Sequence, residues 1–105
     1  MKIKKITKYE VEFDDGSIID YDHCQDCCEY NYADFTALED TGIEDINFKL
    51  PLIFEETEDG FRFGNPNNMF FVPCYSIQNG YYAFDVDVYY KGECVLTAFG
   101  EWVDG

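Results

Sequence analysis

Tyr9, Val11 and Phe13 alternate strictly with Glu10 and Glu12 along the first stretch of the chain. A period of two belongs to a strand with one buried face, so Ile3 to Phe13 reads as a first strand. Asp14-Asp15-Gly16 tolerates the positive φ of a tight turn, and Ser17 to His23 returns as the second strand of a hairpin. The lysines at 2, 4, 5 and 8 suit a sheet edge, where charge discourages pairing with another chain.

Cys24 to Gly42 has no clear period. Asp34 is placed to cap a helical turn or two running to Leu38, with Gly42 as terminator. Ile46, Phe48 and Leu50 alternate within Ile43–Leu50, a strand pattern that Pro51 breaks. Leu52-Ile53-Phe54 and Phe61-Arg62-Phe63 flank Glu58-Asp59-Gly60 as a second hairpin. Asn65-Pro66-Asn67-Asn68 is loop by composition. Met69 to Val72 reads as a buried strand that Pro73 ends or places at an edge. Asn79-Gly80 is a strong turn dipeptide. Beyond it Phe84, Val86, Val88 and Tyr90 share one strand face, and Asp85 and Asp87 lie on the other. Lys91-Gly92 turns the chain into Cys94–Val103, which is apolar on both faces and so reads as central or covered on both sides. The expected fold is one domain, 1–105, mainly β (α+β). Its architecture is an antiparallel meander, sandwich or half-barrel of about six to eight strands with at most one short helix.

Composition supports this and adds a sign. The chain is 47% hydrophobic, with ten Phe and nine Tyr, enough to build an aromatic core. Its 22 acidic residues face only seven basic ones, a net charge of −15. Four of the lysines precede the first acid, so from Tyr9 onward three basic residues meet all 22 acids, a net of −19. Such a chain repels phosphate backbones and anionic membrane surfaces, which excludes nucleic acid and membrane as expected partners. A basic protein surface would be attracted instead. The N-terminal lysines are followed by no secretory apolar core, and no apolar run reaches the roughly 20 residues of a membrane span. Five cysteines in no regular spacing fit a reducing, cytoplasmic setting better than a secreted disulfide framework.

The densest chemistry lies between Asp20 and Glu29. Cys24 and Cys27 have the spacing of a zinc knuckle, but the second pair is missing: Cys74 and Cys94 are isolated, and His23 adjoins Cys24. The acids around these thiols oppose the low pKa that a nucleophile requires, and His23 alone completes no catalytic constellation. A calcium loop counted from Asp20 would need Gly and Glu where Gln25 and Asn31 stand. The expectation is therefore no metal, no cofactor and no catalytic residue, with Cys27 and Cys28 reduced and one of them turned into the core.

This stretch also resembles a known signature. His23, Gln25, Asp26, Cys27, Cys28 and Glu29 match an H-x-Q-D-C-C-E pattern, and Asp34 follows after an aromatic. The pattern is similar to that of an uncharacterised family of small phage and bacterial proteins, a domain of unknown function. The resemblance covers about a fifth of the chain and implies a phage or mobile-element provenance and a joint role for these residues. It implies no activity.

Two readings follow. In the favoured one the protein is a small acidic interaction or inhibitor protein. Its carboxylates stand in for phosphates and meet Arg and Lys of a nucleic-acid-binding partner through charge-assisted bonds. The acids expected to engage are Asp14 and Asp15, Glu55, Glu56, Glu58 and Asp59, and Asp85 with Asp87, with Tyr30, Tyr32 or Tyr81 as aromatic anchor. The competing reading is a small-molecule or metal site centred on His23–Glu29, enzymatic or not. A structural protein whose charge only keeps it soluble is the third.

Overall fold

The computed structural model describes residues 1–21, 29–78 and 85–104. In chain order its strands are β1 (Ile3–Ile6), β2 (Glu10–Phe13), β3 (Ile18–Tyr21), β4 (Glu29–Ala33) and β5 (Ile53–Thr57). β6 (Gly60–Asn65), β7 (Asn68–Gln78), β8 (Asp85–Tyr90), β9 (Glu93–Phe99) and β10 (Glu101–Asp104) follow. Two short 3-10 turns, Phe35–Leu38 and Ile43–Asp45, lie between β4 and β5, and there is no α-helix among the described residues. No described helix is long and apolar enough to cross a membrane.

The mainly β architecture expected from the sequence is what forms, and of the meander, sandwich and half-barrel it is sandwich-like. One sheet runs β1-β2-β3-β8-β9, antiparallel throughout. The second runs β10-β7-β6-β5, with β4 also on β7. The 11-residue β7 organises it: the first part pairs with β6, and the second part holds β4 antiparallel and β10 parallel. Val11, Phe13, Ile19, Val86 and Val88 from the first sheet meet Phe61, Phe63, Val72 and Cys74 from the second, all buried. Phe48, from the connection between them, sets its ring edge-on to Phe13 at 6.0 Å and lies 6.1 Å from Phe63. The 3-10 segments add Phe35, Leu38 and Ile43 to the same core.

Ten strands among the described residues exceed the expected six to eight, and the reasons are local. Ile3–Phe13 is two strands, because the hydroxyl of Thr7 accepts from the amides of Tyr9 and Glu10 and folds the chain back on itself. Cys94–Val103 is likewise two, since the chain leaves the first sheet after Phe99 and enters the second at Glu101. Gly100 makes that passage: a Cβ there would sit 2.8 Å from the Tyr75 carbonyl carbon. The expectation that this segment is central fails with it. β9 is an edge strand whose Val95 and Phe99 are exposed.

Ile43–Leu50 is not a strand either. Lys49 pairs through both its backbone groups with the Asn65 side-chain amide, at 2.8 Å each, instead of with a strand neighbour, and Leu50 points outward. Asp34 does cap the first 3-10 turn, accepting from the Thr36 amide, and Leu38 ends it. Gly42 does not terminate that turn; in the left-handed region it opens the second. Pro73 does not end its strand, because it falls where β7 changes partner from β6 to β4 and its carbonyl accepts from the Asp34 amide.

Candidate interaction surface

Strand alternation fixes what the first sheet shows to solvent. Val11 and Phe13, Ile19 and Tyr21, and Val86 and Val88 are buried, so Glu10, Glu12, Asp20, Asp85 and Asp87 share the outer face. The register draws them together. Glu10 stands opposite Asp20, Asp20 opposite Tyr89, and Tyr89 opposite Cys94, one row across four strands. Further along, Asp87 faces Thr97 and Asp85 faces Phe99. The Phe99 side chain is 52% exposed and Val95, on the same strand face, is 37% exposed. The surface is thus a carboxylate field with aromatic rings set into it, bounded at β1 by the exposed Lys4 and Lys5.

Local contacts hold parts of this face in place. Glu12 lies 3.8 Å from the Lys4 ammonium. The Thr97 hydroxyl donates to the Asp87 carboxylate at 2.8 Å, and the Asn31 side-chain amide donates to the Asp85 backbone carbonyl. Glu10 and Asp20 face each other directly, and like charges so placed work against the stability of a sheet.

The acids named from the sequence divide among three places. Asp85 and Asp87 lie on the face just described. Asp14 and Asp15 lie at its end, in the turn between β2 and β3, where Asp15 and Asp20 line a cleft with Lys91. Asp14 is tied to Lys2: its side chain accepts from the Lys2 amide, and its own amide donates to the Lys2 carbonyl. Asp15 accepts from both the hydroxyl and the amide of Ser17, at 2.5 and 2.9 Å, and these bonds hold its carboxyl below the ordinary carboxylate range. Glu55, Glu56, Glu58 and Asp59 belong to the hairpin of β5 and β6 in the other sheet. Glu55 is engaged by the Arg62 guanidinium opposite it, whose Nε donates at 2.6 Å.

Glu10, Glu12 and Asp20 escaped the sequence reading as site residues, although their alternation is plain there. The aromatic anchor also differs. Tyr32 packs on Tyr75 in the second sheet at 5.3 Å, whereas Tyr89 and Phe99 stand on the acidic face. The side chain of Tyr30, and Tyr81 altogether, lie outside the described residues, as do His23, Gln25, Asp26, Cys27 and Cys28; Glu29 opens β4 opposite Gln78. Cys74 is buried, which pushes its thiol up to about 12, and Cys94 is exposed. Among the described residues no group of three or more His, Cys, Asp or Glu side chains is placed to hold a metal ion.

No family model, no curated protein and no solved structure matches this chain. The resemblance at His23–Glu29 remains an expectation of the sequence.

Proposed function

We propose that this protein is an acidic interaction protein that docks the outer face of its first sheet onto a basic protein surface. The partner's surface is of the kind that binds nucleic-acid phosphates, so docking would occupy it competitively. The observation that carries this reading is the row Glu10–Asp20–Tyr89, with Asp87, Asp85 and the half-exposed Phe99 on the adjoining positions. An arginine or lysine of a partner set against this row would form charge-assisted bonds to its carboxylates. Carboxylates on paired strands have their backbone positions fixed by the register, so no backbone ordering remains to be done on binding. Phe99 and Tyr89 supply the apolar contact that exposed ion pairs lack, since each such pair contributes only about 0–1 kcal/mol. The net charge of −15 would speed encounter with a cationic surface and repel nucleic acid itself.

The test is capture from a cell lysate by immobilised protein, at low and at physiological salt, followed by titration of the captured partner. Replacing Asp20, Asp85 and Asp87 together by Asn leaves the strands intact, and the amide oxygen then present at position 87 can still accept from the Thr97 hydroxyl. Affinity should fall about tenfold or more, a loss of roughly 1.4 kcal/mol spread over three carboxylates. Phe99→Ala should weaken binding without altering its salt dependence. Binding that ignores both salt and the three replacements would leave the charge with a role in solubility alone.

A further inference from the structure

The outer face of the second sheet has the opposite character. Its cross-strand rows are Ile53–Gly64–Met69, Glu55–Arg62–Phe71 and Thr57–Gly60–Pro73, alternating with the buried Phe61, Phe63 and Val72. Tyr32 and Tyr75 continue it along β7. Phe71 is 47% exposed at the end of the middle row. In the three rows of β5, β6 and β7 the charged residues are Glu55 and Arg62, one of each sign and paired with one another. Apolar residues, mostly Met, Phe, Tyr and Pro, surround them.

We propose that this face is the interface of a homodimer. The occupant follows from charge. Two chains of −15 each repel most strongly through the carboxylate face of the first sheet, whereas the three rows here carry no net charge. A two-fold interface requires a surface complementary to itself. The Glu55–Arg62 row meets that requirement, because a two-fold axis that crosses the row between these two residues sets each chain's guanidinium against the other's carboxylate. Phe71, on the strand beyond Arg62 in the same row, then flanks this central pair at about 7 Å from the axis and is the half-exposed ring that the second copy covers. The arrangement leaves both acidic faces pointing away from the dimer, so a partner with two basic sites would meet a bivalent ligand.

Dimerisation does not depend on the function proposed for the acidic face, and salt separates the two. Self-association of like-charged chains through a neutral contact strengthens as screening rises, whereas docking of carboxylates onto a basic surface weakens. Sedimentation of the purified full chain over a range of concentrations, at low and high salt, measures the first alone. The expected result is a species of twice 12.3 kDa at the higher concentrations, more populated at high salt. Phe71→Glu should abolish it while far-ultraviolet circular dichroism stays unchanged, because this side chain is outside the core. Arg62→Glu should weaken association by about tenfold or more, and adding Glu55→Arg to it should restore association. The restored chain guards against misreading a folding defect, since it keeps the pair within each chain. A mass of 12.3 kDa at every concentration and both salts overturns the proposal, as does a Phe71→Glu variant that dimerises like the parent or a charge-swapped chain that stays monomeric.

Discussion

Asp15 shows how much one side chain does in the hairpin between β2 and β3. Its carboxylate accepts from both donors of Ser17 and is held below its ordinary range by them. A depressed carboxyl stabilises the fold above its unfolded value, and that contribution disappears as pH falls through the lower folded value. Asp15→Asn keeps an acceptor for Ser17 without the charge. The parent should therefore exceed this variant in stability at neutral pH, and the gap should close below about pH 4 in urea melts at a series of pH values. Thr57 illustrates the reverse case. Its hydroxyl oxygen is buried and meets no hydrogen-bond partner among the described residues. An unsatisfied buried hydroxyl costs on the order of 1–3 kcal/mol, and Val has the same shape and suits a strand. Thr57→Val should raise stability by about 1 kcal/mol, read as a higher urea midpoint with an unchanged slope.

At the scale of strands, the antiparallel pair of β2 and β3 carries a conflict. Val11, Phe13, Ile19 and Tyr21 fix the register by burying one face, since a one-residue slip of either strand would turn its own buried pair to solvent. That same register forces Glu10 against Asp20 on the other face. Glu10→Gln removes the repulsion and should stabilise the free protein by about 0.2–1 kcal/mol, visible as a small rise in melting temperature. The same replacement should weaken capture of a basic partner. A variant more stable yet poorer at binding is the signature of a surface kept for contact rather than for folding. In the second sheet backbone proximity sets the limit. Gly64 lies at φ +140° with the Asn68 carbonyl oxygen pressed against the place a Cβ would take, so the turn of β6 into β7 admits no side chain there.

Over the whole molecule charge opposes compaction. With 22 acids and seven bases, repulsion favours the expanded chain, and the aromatic core has to outweigh it. Added sodium chloride should therefore raise the melting temperature between low ionic strength and about 0.15 M, where the screening length has shrunk to about 8 Å. A melting temperature that falls over that interval would mean that ion pairs such as Lys4–Glu12 and Arg62–Glu55 outweigh the net repulsion. The two sheets divide the surface unequally. The first displays five carboxylates on β2, β3 and β8, and the second displays Phe71, Met69 and Ile53 around one compensated pair.

Much of this fold was legible from residue order because its signals are local. Alternation at Glu10–Phe13 and Asp85–Tyr90, and the turns at Asp14–Gly16 and Glu58–Gly60, depend only on neighbours, and each appears where expected. So does the cap at Asp34. Net charge is a property of composition alone, and it argues against nucleic acid as a partner without any knowledge of the fold. What the chain order could not show was which strand lies beside which. Glu10, Asp20 and Tyr89 come from distant parts of the sequence and meet only because β8 pairs with β3. Cys94–Val103 reads as central or covered because both its faces are apolar, but Gly100 hands the chain to the other sheet and leaves β9 at an edge with Phe99 in solvent. Alternation tells which residues share a face and says nothing of what that face meets, because pairing between distant segments is decided by how the whole core packs.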